Sequence, residues 1–203
     1  MALSDPIPRK VLPLFHREGI EAVTEEELVH MLGLHPAAYQ DLFPTKADMV
    51  RQVVNFDMET QKQEEQELLQ QAANPVEEII LLLRNGIKKM SSINPHYISD
   101  LQQYYPEAWQ LCEEYLQSYS YYQNMDIINK GILQGYFRKD INLQLVAKIL
   151  LEQFNMMINP AIFPPERYGL GEVFRSIYLY YVRGICTERG GKMAEEYFSR
   201  NNL

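Results

Sequence analysis

The sequence predicts an all-α protein. Apolar residues recur at three- and four-residue spacing through long stretches of the 203-residue chain, which is the period of amphipathic helices. Sustained alternation of apolar and polar residues, the pattern of half-buried strands, does not occur. Proline and glycine divide the chain into segments of helical length. We therefore expect three short helices followed by roughly six or seven longer ones.

The first three predicted helices are short. The first covers residues 7–18 and contains Pro13, which removes one backbone donor and predicts a short or kinked helix. The second follows a capping box, in which Thr24 accepts from the amide of Glu27 and the Glu27 carboxylate reaches back to the cap. The third begins at a proline suited to a first turn and covers about residues 36–42.

The later helices are predicted from their caps, their apolar periodicity and the proline or glycine that ends each one. Gly190-Gly191 is expected to separate the last two helices. The predicted ranges are 45–73, 76–90, 106–136, 143–158, 170–188 and 192–200.

Composition and charge exclude several classes of protein. The net charge is −8, so binding of nucleic acid over the whole surface is not expected, and any such binding must be local. Cys112 and Cys186 are too few and too far apart for a disulfide framework. The longest wholly aliphatic run, residues 79–83, is too short to span a membrane. Without an apolar signal segment near the first residue, we expect a soluble cytoplasmic protein with no membrane partner.

No catalytic or metal site is predicted. A helical di-iron site needs two Glu-x-x-His pairs on long facing helices, whereas the one pair here, Glu27 and His30, lies on a short helix where the glutamate serves the cap. The histidines and cysteines lack zinc spacing. Nucleophile-elbow, P-loop and dinucleotide motifs are not found. We therefore expect a protein that is not an enzyme and that holds neither cofactor nor metal.

The first 50 residues carry an ordered series of signals. Leu14-Phe15 in the first helix precedes Gly19, the Thr24 cap and Gly33, and the third helix ends in Phe43-Pro44-Thr45-Lys46 before a long fourth helix. This order resembles the tetracycline-repressor (TetR/AcrR) family of one-component bacterial regulators. The segment over residues 131–150 is similar to the one that leads into that family's dimerisation helices.

The resemblance implies two domains. Residues 1–46 would form a helix-turn-helix DNA-binding domain, and residues 47–203 a helical domain that binds an effector and pairs two chains. The implied function is a ligand-responsive regulator, a repressor that a small apolar or aromatic effector releases from double-stranded operator DNA. Its partners would be that DNA, the effector and a second copy of the chain.

The charge of this helix-turn-helix leaves two interpretations open. Residues 1–50 carry four bases and eight acids, the wrong sign for a domain that faces a polyanion. In the first interpretation Gln40 bonds an adenine edge, Asp41 accepts from a cytosine amino group, and Lys46 keeps a phosphate contact that the resemblance implies. In the second, the chain is a degenerate relative with weak or no DNA binding that acts as a dimeric ligand-sensing or protein-interaction module. The candidate DNA contacts are Thr24, His35, Pro36, Ala37, Ala38, Gln40, Asp41 and Lys46.

Two apolar sets in the remaining chain are candidate sites, although core packing is the alternative for each residue. Tyrosine hydroxyls within an apolar cavity orient a ligand, and helices that are apolar on two sides usually pack against a second partner. The candidate ligand pocket comprises Met90, Tyr105, Trp109, Cys112, Leu116, Tyr119 and Met156. The candidate dimer interface comprises Leu145, Ile149, Met157, Phe174, Ile177 and Tyr181.

Overall fold

The computed structural model describes residues 6–201, and the described part is helical, which confirms the all-α prediction. The first five residues and the last two of the predicted domain ranges lie outside the described residues. Among the described helices, none is long and apolar enough to cross a membrane. The helices are α1 (Pro6–Glu18), α2 (Glu25–Leu32), α3 (Pro36–Leu42), α4 (Lys46–Gln70), α5 (Pro75–Ser92), α6 (Pro95–Tyr104), α7 (Pro106–Glu114), α8 (Tyr121–Leu133), α9 (Leu143–Met157), α10 (Leu170–Ile185) and α11 (Glu188–Asn201).

The chain divides into two compact units. The first comprises Met1–Gln63 and Ser92–Tyr115, and the second comprises Glu64–Ser91 and Leu116–Leu203. Helices α6 and α7 therefore group with α1–α3, although more than 50 residues of chain separate α3 from α6. The domain ranges 1–46 and 47–203 stay a prediction.

The first unit buries an aromatic and aliphatic core beneath its three short helices. Phe15 on α1 and Leu28 on α2 are fully buried, and Tyr39 on α3 is 1% exposed. The Tyr39 ring lies 5.4 Å from the ring of Phe43, the residue that follows α3. These contacts hold α1, α2 and α3 against one another, because aromatic and leucine side chains contribute most of the apolar area that a small domain buries.

Two glycines in the second unit mark close helix contacts. A Cβ on Gly86 of α5 would lie 2.5 Å from the ring of Phe174 on α10. A Cβ on Gly131 of α8 would lie 1.9 Å from the ring of Phe137, which is itself 1% exposed. Each ring fills the space that a side chain would occupy, so glycine is required there by packing.

The structure differs from the predicted helices in three places. Helix α6 was not predicted, because it lies between the predicted ranges 76–90 and 106–136. The single helix predicted over residues 106–136 is instead α7, a π-helical segment (Tyr115–Ser120) and α8. The break predicted at Gly190-Gly191 is wrong, since α11 runs through both residues. A Cβ on Gly190 would lie 2.0 Å from the carbonyl oxygen of Tyr136, so this glycine permits a close backbone approach and does not end a helix.

Candidate nucleic-acid interface

The capping box at the start of α2 is present. The Glu27 amide donates to Thr24 Oγ1 at 3.2 Å, and the Thr24 amide donates to Glu27 Oε2 at 2.8 Å. The hydrogen bonds from the Thr24 backbone and side chain lower the pKa of the Glu27 carboxyl. Thr24 Oγ1 also donates to Glu27 Oε2 at 3.0 Å. The Thr24 hydroxyl, a candidate DNA contact, is thus committed to the cap.

Helix α3 is separated from α2 by a tight turn and is capped at its N-terminal end. Gly33 ends α2 in the left-handed conformation, with φ of 66°, which a side chain would strain. Pro36 occupies the first turn of α3, and His35 Nδ1 accepts from the Ala37 amide at 3.3 Å as the cap. Tyr39 points into the core, and burial raises its pKa to about 12. One face of α3 is therefore anchored and the other is left exposed.

The outer face of α3 carries methyl groups and hydrogen-bond acceptors but no basic side chain. Pro36, Ala37, Ala38, Gln40 and Asp41 are all exposed. Gln40 Nε2 donates to the carbonyl of Pro44 at 2.7 Å, which fixes its side-chain amide and leaves Oε1 and one N–H available. This face suits thymine methyls and exocyclic amino groups better than the acceptor edge of guanine.

Lys46, the candidate phosphate contact, is bonded within the first unit. Its Nζ donates to the carbonyl of Ile20 at 2.8 Å and to that of Val23 at 2.7 Å. Glu21 Oε1 lies 3.5 Å from the same nitrogen, and the side chain is only 18% exposed. All three N–H directions of this ammonium therefore face protein oxygens. The phosphate contact stays a prediction, while the structure shows a lysine that fastens the start of α4 to the turn between α1 and α2.

The candidate pocket residues are divided between the two units. Tyr105, Trp109 and Cys112 belong to the first unit, and Met90, Leu116, Tyr119 and Met156 belong to the second. The Tyr105 hydroxyl donates to Glu21 Oε1 at 2.6 Å, and burial together with this bond raises the tyrosine pKa. Trp109, Cys112, Leu116 and Tyr119 are half-buried. Their assignment to a ligand pocket stays a prediction.

A buried polar cluster in the first unit was missed from the sequence. Asp57 on α4 is 5% exposed and Tyr97 on α6 is 4% exposed. His16 Nε2 lies 3.5 Å from Asp57 Oδ2, and the His16 ring meets the Tyr97 ring edge-on at 4.6 Å. Burial, and to a lesser degree Asp57, raises the pKa of Tyr97 well above its usual value. Helix α4 is rich in Glu and Gln, so its composition gave no sign that one acid faces inward.

The candidate dimer residues differ in exposure. Leu145 is 56% and Ile149 44% exposed on α9, as an interface requires, whereas Met157 is fully buried within the chain. The neighbouring Met156, placed in the pocket by sequence, is 37% exposed. The two methionines have therefore exchanged the environments expected of them, because consecutive residues of a helix point about 100° apart and the helical phase was set one residue off.

The dimer candidates on α10 are also partly covered. Phe174 is 9% exposed and stacks on Tyr178, with 4.2 Å between ring centroids. Ile177 and Tyr181 are half-buried, and the Tyr181 hydroxyl donates to the carbonyl of Val146 at 3.2 Å. The side chains of Phe174 and Tyr181 thus contribute mainly to packing within the chain.

No family model matches the chain. The repressor KstR2 of Mycobacterium tuberculosis is 23% identical over 144 residues, which cover 68% of this chain and 70% of that protein. The TetR-family regulator PfmR of Thermus thermophilus superposes with a TM-score of 0.58 at 20% identity, covering 88% of this chain and 98% of that one. FadR of Bacillus subtilis, solved with stearoyl-CoA, superposes with a TM-score of 0.63 at 16% identity, covering 88% and 97%.

These similarities agree with the features that carried the resemblance in sequence. The left-handed Gly33, the capped α2 and the exposed face of α3 occupy the first unit, and a helical second unit follows. The resemblance predicted from the sequence is confirmed: the chain has the fold of the TetR-family transcriptional regulators.

Proposed function

We propose that the chain is a ligand-responsive transcriptional regulator that binds operator DNA as a twofold dimer and is released by a small effector. The observation that carries this proposal is α3, a seven-residue helix anchored by Tyr39 with Pro36, Ala37, Ala38, Gln40 and Asp41 exposed on its outer face. In helix-turn-helix proteins, the second helix of the motif enters the major groove of DNA, and α3 would take that place here. The sequence similarity to the repressor KstR2 supports repression over activation.

The electrostatics of the first unit set how this DNA binding would behave. Three consecutive acids, Glu25–Glu27, begin α2, and Lys46 is held by backbone carbonyls. Arg9 and Lys10 are exposed on α1, while Arg17 pairs with Glu18 at 2.6 Å. Few cations are therefore placed to neutralise phosphates. Affinity would depend on base-edge and apolar contacts, and its dependence on salt would be shallow.

Gel retardation of the chain's own promoter fragment tests the DNA-binding half of the proposal. We expect retention at about 50 mM salt, with only a modest loss of affinity as salt is raised. A matched variant, Ala37→Glu, adds an acid to the outer face of α3 at an exposed position and should abolish retention without altering the fold. Failure of the wild type to retain any genomic fragment at this salt would favour the alternative of a dimeric module that does not bind DNA.

A second copy of the chain is the proposed partner at α9 and α10. Leu145, Ile149 and Met156 lie four and seven residues apart on one face of α9 and are exposed, and Tyr180 on α10 is 73% exposed. An exposed apolar stripe on a helix usually marks an interface, and a twofold dimer presents the same stripe from both chains. Sedimentation should give a dimer at micromolar concentration, and a monomer would contradict the proposal.

The proposed effector is a small molecule with an apolar or aromatic body. The half-buried Leu116 and Tyr119 of the second unit support this class, because apolar and aromatic side chains line most small-molecule sites. FadR was solved in complex with stearoyl-CoA, so thermal-shift measurements with fatty acyl-CoAs, sterols and aromatic acids form a direct screen. A compound that raises the melting temperature and also releases the retarded DNA would identify the class. A screen without any stabilising class would count against an effector of this kind.

A further inference from the structure

We propose that α6 is part of the DNA-reading unit and that Asp100 on α6 is a positioning residue, which fixes where α2 begins relative to α1. This inference rests on the DNA-binding part of the proposed function. It concerns the turn between α1 and α2, residues 19–24, whose conformation sets the orientation of α2 and α3 relative to α1. The turn lies in the same compact unit as α6.

One carboxylate oxygen holds two consecutive amides of the turn. Asp100 Oδ2 accepts from the amide of Ile20 at 2.8 Å and from that of Glu21 at 2.9 Å. Asp100 is 8% exposed, so these bonds form largely out of contact with water. Hydrogen bonds to an ionised acceptor are shorter and stronger than neutral ones. The two amides lie between α1 and α2 and bond no carbonyl of either helix, so Asp100 supplies the acceptor that they need.

A charge of opposite sign holds the carbonyls of the same turn. Lys46 Nζ, at the start of α4, donates to the carbonyls of Ile20 and Val23. Ile20 thus has its N–H bonded by an anion from α6 and its C=O bonded by a cation from α4. The backbone of the turn is fixed from two directions by residues 80 and 26 positions away in sequence. Such a turn has little freedom to rotate about the axis of α1.

Helix α6 contacts this region along its whole length. At its N-terminal end, Asn94 donates from its backbone amide to the carbonyl of His16 at 2.7 Å and from Nδ2 to that of Arg17 at 3.1 Å. These two carbonyls belong to the last turn of α1, where intrahelical donors run out. At its C-terminal end, the Tyr105 hydroxyl donates to Glu21 at 2.6 Å. The α6 segment therefore attaches to the helix-turn-helix at three points, with Asp100 in the middle.

Gly19 shows that the approach of α6 is close. Its φ is 90°, a conformation that L side chains rarely adopt. A Cβ at this position would lie 3.1 Å from the Cβ of His96 and 3.3 Å from Asp100 Oδ2. The glycine is needed both for its backbone conformation and for the space that α6 occupies. Helix α6 lies about 50 residues after α3 in the sequence. Residues 1–46 alone therefore lack Asp100, the acceptor that orders the turn between α1 and α2.

Amide hydrogen exchange and DNA affinity, measured on the full chain, test the inference together. The variants are Asp100→Ala, which removes the acceptor, and Asp100→Asn, which keeps an uncharged acceptor oxygen. Glu107→Gln, an exposed acid on α7, is the matched control. We expect Asp100→Ala to speed exchange at Ile20 and Glu21 by about tenfold or more and to weaken binding to wild-type-selected DNA by about tenfold. Asp100→Asn should restore most of both, and Glu107→Gln should change neither.

Several outcomes would overturn the inference. Unchanged exchange at Ile20 and Glu21 in Asp100→Ala would show that the carboxylate does not hold the turn. Faster exchange at these amides with unchanged DNA affinity would show that the turn does not position α2 for DNA. If Asp100→Ala does not fold, Tyr105→Phe, which removes the α6 hydrogen bond to Glu21, is the milder variant. Unchanged exchange at Glu21 in Tyr105→Phe would then count against the inference. Exchange decides the positioning role even when the wild type binds no DNA, so the failure of the proposed function and the failure of this inference are distinguishable.

Discussion

Replacing Lys46 with methionine separates two roles for this residue that make opposite predictions. The resemblance assigns it to a DNA phosphate, whereas the structure bonds its Nζ to the carbonyls of Ile20 and Val23 at 2.8 and 2.7 Å. Methionine keeps an unbranched apolar side chain, one atom shorter than that of lysine, but supplies no donor. If the internal bonds are the role of Lys46, the variant loses stability and keeps the salt dependence of DNA binding.

The expected loss follows from the two charge-assisted hydrogen bonds. Each hydrogen bond to a charged group contributes about 1.5–3 kcal/mol to stability. The Lys46 side chain is 18% exposed, so in the variant water partly replaces its hydrogen bonds to the carbonyls of Ile20 and Val23. The lower end of the range therefore applies to each bond. We expect the free energy of unfolding to fall by about 3 kcal/mol, which lowers the melting temperature of a chain of this size by about 6–12 °C.

Two measurements and one control complete this test. Denaturant unfolding gives the stability, and fluorescence anisotropy on a retained DNA fragment at a series of salt concentrations gives the slope of log K against log salt. Lys192→Met, in an exposed pair with Glu188 at 2.7 Å, is the control and should change stability by less than about 0.5 kcal/mol. Unchanged stability in Lys46→Met, with a slope shallower by about 1.8 for the two lost phosphate contacts of a dimer, would refute the structural role.

Three further predictions concern the second unit. Gly131→Ala should destabilise the chain by at least about 1–3 kcal/mol in denaturant unfolding, because its Cβ would lie 1.9 Å from the buried Phe137 ring; equal stability would mean that the ring relocates freely. Ile149→Asp should convert a dimer to a folded monomer in sedimentation, while Leu133→Asp, at a position 79% exposed on α8, should leave the dimer intact. Burial raises the pKa of Cys186 to about 11, and the thiolate is the reactive form of a cysteine. In a Cys112→Ser background, Cys186 should therefore react with a thiol reagent far more slowly at pH 8 in the folded chain than in the unfolded chain, and its rate in the folded chain should rise as the pH approaches 11. Equal rates in the folded and unfolded chains at pH 8 would contradict this.

Local signals in the sequence predicted most of the fold. The capping box at Thr24 and the proline at the start of α3 each placed a helix start within about two residues, because a cap depends only on neighbouring atoms. The glycine pair in α11 led to a wrong prediction of a helix end. Gly190 is instead required by the close approach of the Tyr136 carbonyl, more than 50 residues away in sequence. A glycine that ends a helix and one that admits a neighbouring backbone look the same in sequence.

The candidate site was less predictable, because its properties depend on contacts between distant segments. Nothing near Lys46 in sequence indicates that Ile20 and Val23 would bond its ammonium, and nothing near Asp100 points to the amides of Ile20 and Glu21. The apolar periodicity of α9 was clear, yet Met156 is exposed and Met157 is buried, the reverse of what their assignments required. A wide apolar arc on a helix does not show which part of the arc packs within the chain and which part faces a second chain. The exposed residues of α3 include the candidate DNA contacts Ala37, Ala38 and Gln40, and their binding to DNA stays a prediction.

Helix α3 is proposed to read DNA sequence even though its outer face carries no Lys or Arg. Selection of bound duplexes from a random pool by the purified full chain tests this claim most directly. The account predicts recovery of a palindrome whose half-sites lie about one helical turn, or a multiple of it, apart, with base preferences that change when Gln40 or Asp41 is replaced. A pool that shows no enrichment after repeated rounds at about 50 mM salt, from a chain shown to be folded and dimeric, would contradict it.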